Sequence, residues 1–170
     1  MGLFSRRGAR EASGKAGQHD DDAPLPDDSD SRPLVPTAMP LRAEDQALRD
    51  RCLGELAELG IDLDDLDAIG RGYDADCAAW AARGAWRRGE HTPFVERWGV
   101  AIGEHLARFT DLRWTTVDDP FGMDLGLMSD GAERDAFAVI PTNLVSGRWL
   151  NGQTGWIPGV VGHLVSLRAR

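Results

Sequence analysis

The chain has 170 residues, 42% of them hydrophobic, with 19 basic against 28 acidic side chains and a formal net charge of −9. That length suits one domain able to bury roughly two-thirds of its surface. So negative a chain argues against a nucleic-acid partner, and the lack of an apolar run of about 18 residues or of a secretory signal points to the cytoplasm.

Residues 1–40 read as a disordered polar tail, because they hold five of the nine prolines and few hydrophobic residues. Arg6, Arg7, Arg10 and Lys15 precede Asp20, Asp21, Asp22, Asp27, Asp28 and Asp30 in a block pattern typical of solvated segments. Leu3 and Phe4 beside two arginines are too small an anchor for membrane contact, and Arg6 stands where a myristoylation pattern needs Ser or Thr.

Residues 41–170 form the expected domain, in three parts: a helical pair and linker over 41–91, a core over 92–150 and a C-terminal segment over 151–170. In the first helix Leu41, Leu48, Cys52, Leu56 and Leu59 share a face and Gly60 closes the segment. The second begins near Asp62 or Asp64, carries Leu66, Ile69, Tyr73, Cys77 and Trp80 at three- and four-residue steps, and should lie antiparallel to the first. Asp62, Asp64, Asp65 and Asp67 fail as a calcium loop, since Leu66 and Asp67 occupy positions five and six. Acidic residues at a helix start are explained by the helix dipole. An arginine-rich linker follows, with Arg83, Trp86, Arg87 and Arg88 bracketed by Gly84 and Gly89.

The chain is organised around residues 92–124. Thr92 can cap a helix with Pro93 in its first turn. Val95, Trp98, Gly99, Ile102, Gly103, Leu106 and Phe109 fall in one arc, with His105 at its edge. Each helix-interior glycine costs roughly 1 kcal/mol relative to alanine, so Gly99 and Gly103 on one flank predict another backbone packed closely there. Arg113–Asp118 is rich in aromatic and β-branched residues, Asp118–Gly122 carries turn chemistry, and Met123, Leu125 and Leu127 alternate with Asp124, Gly126 and Met128. Together they predict a hairpin with one apolar face. Ala136–Ile140 reads as a third strand ended by Pro141. Thr142 then caps a short helix through Trp149, with Asn151 and Gly152 as its exit. Residues 156–168 read as a helix, although their valines also suit a strand. The expected fold is α+β: an N-terminal helical pair and a long central helix on a three-stranded antiparallel meander, followed by one or two C-terminal helices.

Gly99 and Gly103, the run Trp114–Asp119, Gly122, Asp124, Pro141 and Arg148 give residues 94–150 a resemblance to an uncharacterised bacterial family known as domain of unknown function 3806. The resemblance implies no activity. Members often have Lys-Arg in the helix after the proline; here Gly147 precedes Arg148, so a role needing two adjacent cations is not carried over.

No phosphate loop, nucleophile elbow or zinc motif occurs in the chain. No cofactor or metal is expected, and the two mid-helix cysteines read as buried free thiols. Asp119, Asp124, Arg148 and His105 form a candidate polar cluster at the hairpin, read either as a ligand or metal site or, more simply, as an ion pair pinning helix to hairpin. Trp86, Trp149 and Trp156 lie in polar or turn-rich surroundings and form a candidate interaction surface. Two readings result. The first is a non-catalytic interaction domain that binds another protein, and the alternative is a small enzyme or ligand binder using the hairpin carboxylates with Arg148.

Overall fold

A computed structural model describes residues 35–130 and 137–169. In chain order the elements are β1 (Thr37–Met39), α1 (Ala43–Glu58), α2 (Leu66–Ala82), α3 (Thr92–Phe109), β2 (Arg113–Asp119), β3 (Gly122–Met128), β4 (Ala138–Val139), α4 (Pro141–Leu150) and α5 (Ile157–Arg168). The fold is α+β, as expected, and two helices, α4 and α5, follow the sheet.

The N-terminal helices follow from their caps. Gly60, at φ 67°, ends α1: its N–H reaches the Ala57 carbonyl and the Ile61 N–H the Leu56 carbonyl, both at 3.0 Å. Asp65 starts α2 by accepting from the N–H groups of Asp67 and Ala68 at 2.9 and 3.1 Å. Asp62 serves the preceding turn by accepting from the Asp64 N–H. Each of these helices packs on α3, and α2 also packs on α5, so the two meet mainly through α3 rather than as a hairpin of their own.

The start of α3 differs from expectation. Thr92 makes no capping bond; the His91 carbonyl instead takes the N–H groups of Phe94 and Val95, with Pro93 in the first turn. Thr142 likewise lies inside α4, which begins directly at Pro141 after Ile140. The buried arc of α3 is wider than its wheel suggested. Val100 joins it on the flank where Cys52 of α1 packs, and Ala101 joins it as part of the main core, while Phe109 at the far end is partly exposed.

The two glycines are where close packing requires them. A Cβ on Gly99 would stand 3.1 Å from Thr142 Cα and N, and one on Gly103 would overlap the Trp114 ring and approach Pro141. The start of α4 and the β2 tryptophan therefore rest directly on the α3 backbone.

The sheet has four antiparallel strands in the order β1-β2-β3-β4, one more than expected. The additional strand, β1, comes from the segment read as tail and pairs Thr37 with Asp118, Ala38 with Val117 and Met39 with Thr116. Three residues between Pro36 and Pro40 carry no periodicity; the unpaired edge of β2 supplies the order. The rest of the predicted tail, residues 1–34, and most of the predicted turn before β4 lie outside the described residues. One sheet face, with Trp114, Leu125 and Leu127, packs toward α1 and α3. The strip with Val117 and Gly126 is buried as well, so the opposite face is only partly open.

Among the described residues no helix is long and apolar enough to cross a membrane.

Candidate functional site

The hairpin turn builds one end of the candidate site. Asp119 pairs with Gly122, leaving Pro120 and Phe121 as a two-residue turn, and Asp119 Oδ1 accepts from the N–H groups of Phe121 and Gly122 at 2.8 and 3.1 Å. Gly122 has φ 150°, a conformation that excludes most side chains. Asp119 is only 9% exposed. Val117 and Asp119 border a cavity of about 400 Å³ that continues past β4 to Asn143 and Leu144 of α4 and Leu164 of α5.

The other members of the predicted polar cluster lie elsewhere. Asp124, opposite Val117, is half-buried, and no ion pair or hydrogen bond joins it to Asp119. His105 is buried on α3 beside Phe109, and its Nδ1–H donates to the Leu63 carbonyl at 2.9 Å, which ties α3 to the loop before α2. Arg148 donates to the Leu144 carbonyl at 2.8 Å and stacks 4.5 Å over Trp156. The predicted pin between Arg148 and the hairpin is therefore not made. Helix α4 begins against Gly99 and Gly103, and Arg148, seven residues on, lies about 10 Å farther along its axis.

The arginine that serves the hairpin is Arg42, which sequence reasoning missed. It grips Asp45 with Nε and Nη2 at 2.8 and 3.0 Å and donates to the Met123 carbonyl, while Thr116 Oγ1 donates to Asp45 Oδ2 at 2.6 Å. Burial pushes the Asp45 carboxyl up, but the bonds from Arg42 and Thr116 more than reverse this and hold it below its ordinary value. This cluster joins the start of α1 to β2 and β3. Its only signal in sequence was an i, i+3 Arg–Asp pair at a helix start.

A second polar seam also escaped notice. Glu104 of α3 accepts from Arg49 at 2.8 Å and from Trp114 Nε1 at 3.1 Å; burial raises its pKa, yet these bonds bring the carboxyl below its usual range. Arg97 bonds Asp76 at 2.8 Å, and Asp76 also accepts from Trp98 Nε1. The charged flank of α3 thus links helices instead of facing bulk water.

The three candidate tryptophans have different fates. Trp149 is 0% exposed, stacked on Phe94 at 5.0 Å and set edge-on to Tyr73 at 5.6 Å, so it belongs to the core and leaves the proposed surface. Its position on the face of α4 that turns toward α2 and α3 brought it there. Trp156 is half-buried between Arg148 and Tyr73. Trp86 is fully exposed in a 3₁₀ turn, Ala85–Arg87, between α2 and α3. That turn is held from below. Arg88 donates to the carbonyls of Arg83 and Ala81 and lies 5.1 Å over Trp80, whose Nε1–H donates to the Gly89 carbonyl.

Cys52 and Cys77 are free thiols in separate buried clusters. Burial pushes the Cys52 thiol up to about 11 and raises Cys77 as well, so neither is an activated nucleophile. No group of three potential metal ligands converges among the described residues.

Fold and geometry thus define an α+β domain with a largely apolar cavity beside Asp119 and an exposed tryptophan, Trp86, on a braced turn. Residues 77–159 match the family described as Domain of unknown function (DUF3806), and this part of the chain is similar to that family. The match runs from α2 to the start of α5, past both ends of the span that carried the resemblance in sequence. Neither a curated protein nor a solved structure matches the chain.

Proposed function

We propose that the protein is a non-catalytic, cytoplasmic interaction domain that binds another protein through the turn at Trp86. The observation that carries this reading is a fully exposed tryptophan on a turn braced by Arg88 and Trp80. A bare indole costs hydration free energy, and a turn whose backbone is already braced loses less conformational entropy on docking, which suits an interface anchor. Arg83 and Arg87 are exposed beside it, a local positive patch on a chain of net charge −9, and an acidic partner surface would complement it. Two free buried thiols accord with a reducing compartment.

The test is quantitative affinity capture of the tagged chain from its host, with Trp86→Ala and Leu150→Ala beside wild type. A near-stoichiometric partner kept by Leu150→Ala and lost from Trp86→Ala is expected. Retention of that partner by Trp86→Ala would refute the reading.

A second reading, a ligand binder, is favoured by the cavity beside Asp119. It draws on Asp119 alone among the predicted cluster, since Arg148 is held at Trp156.

A further inference from the structure

We propose that the cavity beside the hairpin turn binds an amphipathic amine, its apolar body lying between Val117, Phe137, Ile140 and Leu164 and its ammonium group against Asp119. This rests on the ligand-binding reading and adds the chemical class of the ligand.

The volume, about 400 Å³, is that of a small-molecule site. Among the described residues the lining is apolar except for Asp119 and Asn143 and contains no Lys, Arg or His. Asp119 is therefore the charged group of the wall. Its Oδ1 is committed to the two turn N–H groups, while Oδ2 has no partner among the described residues. Arg42, the cation that serves the hairpin, is engaged with Asp45, Glu44 and the Met123 carbonyl and does not reach the cavity wall.

A nine-tenths buried carboxylate beside apolar walls has lost much of its hydration, and a charge there interacts more strongly than one in water. A cationic donor placed against Oδ2 would supply the missing partner. A neutral apolar ligand would leave that oxygen further desolvated, and an anion would be repelled. Asn143, in the first turn of α4, offers a side-chain carbonyl for a second ammonium hydrogen. The apolar remainder of the wall sets the other half of the specificity, a hydrocarbon body.

The test is calorimetric titration of the full chain with octylamine, octanol and octanoate, with Asp119→Asn and two cavity-filling variants, Ala138→Phe and Leu164→Trp. Asparagine keeps the Oδ1 acceptor for the turn and removes only the charge. Octylamine should bind at least tenfold more tightly than octanol, with no binding of octanoate. Asp119→Asn should bring octylamine to the octanol level, and either filling variant should abolish both. Octylamine no tighter than octanol, or unaffected by Asp119→Asn, overturns the amine assignment; octanol binding that the filling variants still block would then leave the cavity reading standing. Binding of none of the three, or binding indifferent to both filling variants, overturns the cavity reading with it.

Discussion

Gly103 and Gly147 show how position decides a glycine's worth. Gly103 lies under the Trp114 ring, whereas Gly147, also inside a helix, has nothing within 4 Å of its missing Cβ. Gly103→Leu should therefore cost about 1–3 kcal/mol from overpacking, with more if α4 is displaced. Gly147→Ala should leave stability unchanged or raise it by about 0.4–1 kcal/mol, because alanine restricts the unfolded chain. Denaturant melts of the two variants check this, and a Gly103→Leu variant as stable as wild type would remove the close-packing account of α3. The flank of α3 that carries Gly99 and Gly103 was legible from sequence because two helix-weakening residues at i and i+4 need a reason. Trp149 was not: its polar neighbours in sequence, Arg148 and Asn151, say nothing of the α2 and α3 side chains that close over it.

Among the elements, those with strong local signals were readable and those ordered by a neighbour were not. The central helix, the hairpin and the caps at Gly60 and near Asp65 follow from turn chemistry and periodicity within a few residues. Strand β1 follows from pairing with β2 and from Arg42, which fastens the adjoining start of α1 to Asp45 and Met123. The same non-local contact defeated the predicted cluster: the cation at the hairpin comes from a residue some eighty positions earlier, not from α4. Arg42→Met should destabilise by about 1.5–3 kcal/mol, since it leaves the Asp45 carboxylate buried with Thr116 as its remaining side-chain donor. Removing the stranded charge as well, in Arg42→Met/Asp45→Leu, should recover part of that loss. Chemical denaturation of both variants decides it; a double mutant less stable than Arg42→Met would show that the buried charge is not the source of the cost.

At the scale of the whole molecule, buried ionisable groups set a pH window. Asp45 and Glu104 have folded pKa values below their ordinary 3.8 and 4.5, so each contributes stability that is present above those values and lost as pH falls through the folded ones. Cys52 has the opposite sign. Raised from 9.0 to about 11, it contributes stability that is present below pH 9 and lost as pH rises toward 11, and Tyr73, raised from 10.0 to about 12, extends the loss. For Cys52 the loss is about 2–3 kcal/mol at most. Melting temperature should thus be flat between about pH 5 and 9 and fall on both sides. Cys52→Ala should flatten the onset on the alkaline side, and an unchanged alkaline limb would contradict this assignment. The cavity and the exposed indole exist only once the elements are assembled, so neither was legible in composition or charge.

The account rests most directly on Trp86 being the one of the six tryptophans carried bare on the surface, and iodide quenching of tryptophan emission tests it. Wild type should show a readily quenched component over a shielded remainder, and Trp86→Phe should remove that component while leaving the remainder unchanged. A quenchable component that survives in Trp86→Phe, or none in wild type, would contradict the interaction surface proposed for this protein.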